Sequence, residues 1–247
     1  KMESGENMGL FFKKRSGQRK LHCSAVIVAA GSASRMKGVD KIMAEIGGMP
    51  VIARTLSVFQ NCDRIGEIVV VTREDLLVPV GEICRQYGFD KVTRVVVGGA
   101  DRSRSVQNGL NELGETDYVA IHDGARPFVS AEVLEETIRA AERSGAAAPA
   151  IPVTDTIKTA QDSLVTGTPD RSTLFAVQTP QIFDMDLICG ALYHCIEKKI
   201  PLTDDCSAVE QIGKVVTLTV GERTNIKITT QFDLLIGEAI VSWLDAQ

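Results

Sequence analysis

A short basic loop near the start of the chain has the composition of a phosphate-binding site. The apolar run at residues 24–28, SAVIV, leads into residues 29–41, AAGSASRMKGVDK, where small residues around Gly31 precede Arg35 and Lys41. Small side chains let backbone N–H groups approach a phosphate, and a helix start adds a favourable dipole. Arg35 and Lys41 can neutralise charge on a reacting phosphorus and its leaving group. The loop therefore predicts phosphate-transfer chemistry.

Two common phosphate motifs do not fit this loop. The dinucleotide fingerprint needs three glycines at fixed spacing, and only Gly31 precedes Arg35 here. A Walker A loop needs Gly-Lys-Ser/Thr after four spacer residues, and that pattern is absent. Because the dinucleotide fingerprint is missing, a nicotinamide dehydrogenase is excluded. A merely solvated basic loop is the less favoured interpretation, because α/β sheets bind ligands where their strands end.

The elements that must position this loop alternate along the chain. Short β-branched runs alternate with stretches of helical spacing, which predicts an α/β fold with a mostly parallel sheet covered on both faces. We expect strands at 24–30, 67–72, 92–97, 118–122, 147–153 and 215–220, and helices at 50–60, 75–87, 103–113, 131–144 and 185–198. The stretches GGADRSRS and HDGARP follow the third and fourth strands, where such a sheet binds its ligands.

One segment breaks the alternation. Residues 154–178 are polar, Thr-rich and β-prone, with Gly-Thr-Pro-Asp in the middle, which predicts a projecting β-hairpin with its turn there. A two-stranded hairpin is marginal alone in water. We therefore expect this arm to pack on a second copy of the chain.

Composition limits the class of protein. The 247 residues are 44% hydrophobic and show no linker, which favours one domain at 23–247 after a leader or cloning remnant at 1–22. A net charge of -5 argues against a nucleic-acid or anionic-membrane surface. No apolar run reaches the 18 or so residues of a membrane span. The six cysteines lack C-x-x-C spacing, so we expect reduced thiols in a cytoplasmic protein.

Seven blocks together carry a resemblance to a known family: AAGSASRM with Lys41, GGADRSRSVQNGL, HDGARP, PVTDTIK, VQTPQ, TDDCSAVE and NIKIT. From about Cys23 to the C-terminus, their order and spacing resemble the 2-C-methyl-D-erythritol 4-phosphate cytidylyltransferases of the non-mevalonate isoprenoid pathway. The resemblance implies a single Rossmann-like, glycosyltransferase-A-like nucleotidyltransferase domain. Such a domain joins CTP and methylerythritol phosphate with Mg²⁺ and releases pyrophosphate. The resemblance also implies a homodimer in which the hairpin arm reaches the partner's site.

The resemblance also assigns roles by position. The catalytic cations would be Arg35, Lys41, Arg171 and Lys227. The nucleotide would lie against Ala29, Ala30, Gly31, Gly98, Gly99 and Ser105, with Arg102 supporting the loop. Ribose, metal and acceptor would meet at Asp123, Gly124 and Arg126, with Asp123 as metal ligand. The methylerythritol phosphate would be positioned by Thr156, Arg171, Thr179, Thr203 and Lys227. Two positions depart from the family pattern, because Ala100 replaces a frequent acidic residue and Asp40 replaces a frequent proline.

The chemistry implied needs positive charge rather than a general base. A phosphate monoester is mostly dianionic at neutral pH, so the barrier is the meeting of two anions, which cations and Mg²⁺ offset. Ribitol 5-phosphate or a related polyol phosphate stays open as the acceptor, since a methyl group gives only about 1–3 kcal/mol of discrimination. A non-catalytic nucleotide-binding regulator is the other alternative. For single residues, Asp123 could instead cap a helix, and we expect His122 to be a hydrogen-bonded core residue.

Overall fold

The computed structural model of the chain describes residues 21–31 and 40–246. Most of the basic loop, including the predicted catalytic residue Arg35, therefore lies outside the described residues. In the described ranges, no helix combines the length and the apolar character that crossing a membrane requires. All six cysteines are free thiols.

Strands and helices alternate along the described chain. In chain order they are β1 (Cys23–Val28), β2 (Glu45–Ile46), β3 (Met49–Pro50), α1 (Val51–Asn61), β4 (Ile65–Thr72), α2 (Leu77–Gln86), β5 (Val92–Val97), α3 (Arg102–Asn111), β6 (Tyr118–Asp123), α4 (Ala131–Ser144), β7 (Ala146–Pro152), β8 (Thr159–Gln161), β9 (Leu164–Gly167), β10 (Phe175–Val177), β11 (Gln181–Asp184), α5 (Met185–Glu197), α6 (Asp205–Gln211), β12 (Thr217–Val220) and α7 (Gln231–Leu244). Every predicted strand and helix is present, with its ends within two residues of the prediction.

The main sheet is mixed but mostly parallel. Its order is β10-β7-β11-β6-β1-β4-β5, with β12 beside β7. Strands β5, β4, β1 and β6 are parallel neighbours, and β12 runs parallel to β7. The antiparallel pairs come from β10 and β11, two short strands that the sequence analysis missed. The predicted α/β class is confirmed.

Helices cover both faces of the sheet because the central strands are apolar at nearly every position. In β1, Ala25 and Ile27 join a core with α1 and α4, whereas Val26 joins the opposite core with α3 and α5. Successive strand residues point to opposite faces, so the side chains of SAVIV pack alternately into the two cores. This two-sided burial stabilises the central strands, and their parallel pairing places their carboxyl ends at one edge.

The arm differs in detail from its prediction. Strands β8 and β9 form a separate two-stranded sheet, and the turn between them is at Asp162 and Ser163, with φ of 48° and 65°. The turn prediction at Gly-Thr-Pro-Asp was therefore wrong, since a two-residue turn with positive φ matches the twist of a hairpin. The chain then makes a 3₁₀ turn at Arg171–Thr173, and β10 rejoins the main sheet beside β7.

Candidate active site

A cavity of about 380 Å³ opens at the carboxyl ends of β1, β5 and β6. The segment after β1 lines one wall with Ala29, Ala30 and Gly31, and Lys41 follows beside it. Opposite them lie the segment 99–102, Ser105, Asp123 and Lys227. The predicted edge of the sheet therefore does bring Lys41 and Lys227 to one cavity, although they are far apart in the chain.

The loop after β5 packs closely on its neighbours because Gly98 and Gly99 admit no side chain, and Gly99 lines the cavity. A Cβ on Gly98 would lie 2.4 Å from the Cβ of Ala30, and one on Gly99 would collide with the first turn of α3. The Ser105 hydroxyl accepts from the Gly99 N–H at 3.0 Å and donates to the Asp101 carbonyl at 2.8 Å. These bonds fix the loop after β5 against the first turn of α3.

Asp123, at the end of β6, is the electrostatic centre of the site. Its buried carboxylate lies 2.7 Å from Arg102 Nη1, 2.8 Å from Lys227 Nζ and 3.6 Å from Arg126 Nε. Burial alone would raise the pKa of Asp123, but Arg102 and Lys227 outweigh it and hold the pKa well below its usual range. Asp123 is therefore ionised. It does not cap the following helix, because Ser130 is the N-cap of α4.

Arg102 extends this network to a second buried carboxylate. Its Nη2 donates to Asp205 at 2.7 Å, while its Nη1 stays on Asp123. Gln181 fixes Asp205, because its side-chain oxygen accepts from the Asp205 N–H at 3.0 Å and from the Cys206 N–H at 2.9 Å. Burial raises the pKa of Asp205 and Arg102 opposes that shift. Arg102 therefore ties α3, β6 and the start of α6 together.

The sequence analysis gave Arg102 a role in supporting the loop but missed Asp205. Arg104 pairs with the nearby Asp101, at 3.4 Å, and is half exposed, as expected of a solvated side chain. Asp205 belongs to the block TDDCSAVE, which was used for the resemblance without a role for its acids. The sequence signal that could have identified Asp205 is the pair of adjacent carboxylates before an apolar run. One carboxylate of such a pair can cap the helix while the other faces inward. Here Asp204 is the cap.

A second cavity, of about 190 Å³, adjoins the first and shares Arg102, Asp123 and Lys227 with it. Arg126, Thr179 and Thr203 are part of its wall. The Thr179 hydroxyl accepts from the Asp123 N–H at 3.1 Å, so it holds the backbone at the end of β6. The two cavities therefore meet at the carboxylate of Asp123.

The loop that carries Lys227 is fixed by a fully buried asparagine. The Asn225 side-chain amide donates to the Thr179 carbonyl at 3.0 Å and to Gln178 Oε1 at 3.2 Å. The Asn225 carbonyl accepts from Arg126 Nη1 at 2.7 Å. This asparagine holds Lys227 and Arg126 near the same carboxylate, and it is a second positioning residue that the sequence analysis missed.

His122 is a core residue, as predicted. Its ring is fully buried, with Nε2 at 3.1 Å from the Arg126 carbonyl and Nδ1 at 3.0 Å from the Thr179 hydroxyl. Burial lowers its pKa to about 4, so the imidazole is neutral. It orients Thr179 and the backbone at Arg126.

Four other predicted residues do not line the two cavities: Gly98, Gly124, Thr156 and Arg171. Gly124 packs behind the first cavity, where an added Cβ would lie 2.9 Å from the Cβ of Ala29. Thr156 and Arg171 are exposed on the arm, and Arg171 Nη1 donates to the Thr154 carbonyl at 2.6 Å. Neither arm residue lines the two cavities of its own chain. Their roles stay predictions.

The carboxylates of the site could bind a metal ion only if phosphate oxygens of a substrate supplied further ligands. Among the residues that the structure describes, no group of three His, Cys, Asp or Glu side chains could hold an ion. Mg²⁺ commonly takes one or two carboxylates together with waters and substrate phosphates. Asp123 can be the single protein ligand of that kind, because its carboxylate faces both cavities.

Cationic side chains gathered around one ionised carboxylate, at the ligand-binding edge of an α/β sheet, fit a nucleotidyltransferase. Comparisons with known proteins identify the family within that class. The family model for 2-C-methyl-D-erythritol 4-phosphate cytidylyltransferase, IspD, matches residues 23–243. The chain belongs to this family.

Curated relatives and solved structures agree with that family. The cytidylyltransferase of Geobacillus kaustophilus is 43% identical over 223 residues, covering 90% of this chain and 98% of the relative. That of Bacillus licheniformis is 40% identical over 222 residues, covering 90% and 96%. The crystal structure of 4-diphosphocytidyl-2C-methyl-D-erythritol synthase from Anaerococcus prevotii aligns with a TM-score of 0.82 at 33% identity, covering 90% of this chain and 97% of that one. The Thermus thermophilus cytidylyltransferase aligns with a TM-score of 0.75 at 31% identity, covering 90% and 100%.

Proposed function

We infer that this chain transfers the cytidylyl group of CTP to 2-C-methyl-D-erythritol 4-phosphate and releases pyrophosphate. The observation that carries this inference is the meeting of two cavities at Asp123, with Lys41 in one, Arg126 in the other and Lys227 in both. Two anionic substrates can therefore approach one point between fixed cations.

The first cavity suits the nucleotide. Gly99 can take a flat base against its backbone, and a triphosphate can approach the turn at Ala30 and Gly31. Lys41 lies over that turn, since a Cβ on Gly31 would be 3.6 Å from its Nζ. A cation there offsets charge on the departing pyrophosphate. Arg35 is proposed to act beside it, as the resemblance implies.

The second cavity suits the acceptor. Thr179 and Thr203 can bond its hydroxyl groups, and Arg126 with Lys227 can hold its phosphate. That phosphate has a second pKa of about 6, so it attacks without a general base. Lys227 then has the task of reducing repulsion between the two anions, and losing one such contact typically costs about 3 kcal/mol in the transition state.

Asp123 is proposed to hold Mg²⁺ together with phosphate oxygens of CTP. The ion would supply Lewis-acid neutralisation of the triphosphate. Arg102 and Lys227 keep the Asp123 carboxylate ionised, which is the form that can coordinate a metal ion.

We also propose a homodimer formed through the arm. Leu164 and Val165 on β9 are 73% and 63% exposed, and Val220 on β12 is 83% exposed. Exposed apolar residues on a two-stranded arm and on the sheet beside it favour a partner that covers them. A second copy could then receive Arg171 and Thr156 in its acceptor cavity. The negative net charge and the free thiols favour a cytoplasmic enzyme that binds no nucleic acid or membrane.

Pyrophosphate release from CTP tests the reaction directly. With Mg²⁺ present, we expect a higher kcat/KM for methylerythritol phosphate than for ribitol 5-phosphate, since a pocket that fits the branching methyl gains about 1–3 kcal/mol. The reverse preference would assign the chain to polyol-phosphate transfer. Binding of CTP with no turnover on either alcohol would support the regulator.

A further inference from the structure

An ion-pair cluster outside both cavities holds the turn that carries Lys41. Arg73 directly follows β4, and its Nη1 lies 2.7 Å from Asp40 Oδ2. Its Nε and Nη2 donate to the Asp75 carboxylate at 3.0 and 2.9 Å. We name these three residues the Arg73 clamp. The clamp joins the chain after β4 to the residue immediately before Lys41.

Asp40 is fixed on both sides of its own backbone. Its Oδ1 accepts from the Ile42 N–H at 3.0 Å, and its carbonyl accepts from the Ala44 N–H at 2.9 Å. Ile42 is buried in the core and its carbonyl accepts from the Ile52 N–H at 2.9 Å, at the start of α1. Lys41 therefore lies between a clamped residue and a buried one, so its backbone has little freedom.

The clamp also answers an electrostatic question that the sequence raises. A carboxylate at Asp40 next to Lys41 would weaken the positive field that a triphosphate needs. Arg73 lies against Asp40 instead, and both side chains are largely covered, at 29% and 18% exposure. A pair so shielded from water is screened less than a surface pair. Arg73 thereby offsets part of the charge of Asp40, since it also pairs with Asp75.

We propose that Asp40 and Arg73 are positioning residues that set the place of Lys41 over the triphosphate. This inference rests on the proposed function, in which Lys41 contacts CTP. Neither residue contacts the substrate itself. Their loss should lower kcat/KM for CTP by about fivefold, the effect of an ion pair worth about 1 kcal/mol.

A mutant cycle tests the clamp, with kcat/KM and the Kd for CTP as the measured quantities. Asp40→Asn and Arg73→Gln should each cause the loss of about fivefold, and the double variant should be no worse than the lower single variant. Adding Arg73→Gln to Lys41→Ala should change neither quantity further. Arg94→Gln, which removes an exposed pair between β5 and Glu112, is the matched control and should match the wild type.

Three results would overturn the proposal: unchanged values in Asp40→Asn and Arg73→Gln, equal losses with Lys41 present and absent, or equal weakening of CTP and CMP binding. A merely structural role would lower the melting temperature and weaken CTP and CMP equally. The proposal requires weaker CTP binding with CMP binding retained, because CMP lacks the outer phosphates. The binding comparison needs no turnover. If the wild-type chain released no pyrophosphate, the proposed function would be disproved, but the Kd values would still test whether the Arg73 clamp positions Lys41.

Discussion

At the scale of single residues, the site is a balance of charge around one carboxylate. Asp123 faces Arg102, Arg126 and Lys227, and Arg102 also pairs with a second buried carboxylate, Asp205. The cluster keeps a surplus of positive charge for phosphate ligands. Because the groups are largely buried, each contact should have a larger effect than an exposed ion pair.

Asp205→Asn tests whether the ion pair with Asp205 positions Arg102 for activity. The amide keeps the size of the side chain but removes the charge that fixes Nη2 of Arg102. We expect kcat/KM to fall about tenfold, since hydrogen bonds between charged groups are worth about 1.5–3 kcal/mol. Steady-state kinetics and a thermal melt check this result, with the exposed Asp186→Asn as control. Unchanged kinetics would show that Asp123 alone is enough to hold Arg102.

His122 should make the stability of the fold depend on pH. Its imidazole stays neutral in the native state down to about pH 4, whereas the unfolded chain binds the proton near the ordinary pKa of 6.5. The unfolded state thus holds more protons between these values, so stability is lost as pH falls from 6.5 to 4. The loss from this group should reach about 3 kcal/mol.

Urea unfolding at several pH values checks this pH dependence. In His122→Asn, which keeps a donor and an acceptor without the titrating ring, the free energy of unfolding should fall less over the same window. Parallel pH curves for the two proteins would contradict the role of His122.

At the scale of elements, the arm is the part of the chain that its own core does not explain. Its strands β8 and β9 pair with each other, and its residues are nearly all exposed. A short hairpin with that exposure needs an external surface. The arm is therefore expected to act between chains, whereas the sheet edge acts within one.

Arg171→Ala tests whether the arm reaches an active site. Removing this cation should raise the KM for methylerythritol phosphate about tenfold or more and leave the KM for CTP nearly unchanged, because charged hydrogen bonds are worth about 1.5–3 kcal/mol. Lys158→Ala is the matched control, since Lys158 is on the same arm and bonds Thr168 at 2.7 Å. Equal effects of the two substitutions would mean that the arm acts only through assembly.

At the scale of the whole molecule, each active site is expected to combine two chains. Lys41 and Lys227 lie in the cavity of their own chain, whereas Arg171 does not. A symmetric dimer would give each site one arm from the partner. The assembly would then complete the acceptor cavity.

Mixed dimers test this division. When Lys41→Ala and Arg171→Ala chains are refolded together and assayed with the acceptor phosphate well below its KM, where both variants have low activity, about half of the dimers should be mixed, and one of their two sites carries neither change. Activity should return to about a quarter of the wild-type value, because one site in four is then intact. No recovery in confirmed mixed dimers would place both residues in the site of one chain.

The sequence by itself determined the alternation of strands and helices and the edge at which the site lies. Periodicity is local, so SAVIV or the helix at 131–144 could be recognised without knowledge of their neighbours. Short elements such as β10 and β11 carry too few residues for a period and were missed. The resemblance of the sequence blocks to the family predicted Lys41, Asp123 and Lys227 as site residues, but it did not predict the residues that position them.

Only the tertiary structure decided which groups hold the site in place. Arg102 and Asp205 are 103 residues apart in sequence, and Asn225 meets Thr179 across 46 residues. Arg73 reaches Asp40 only because β4 lies next to β1. The energies of such pairs depend on distance and burial, which strand order and helix packing set and local composition does not record.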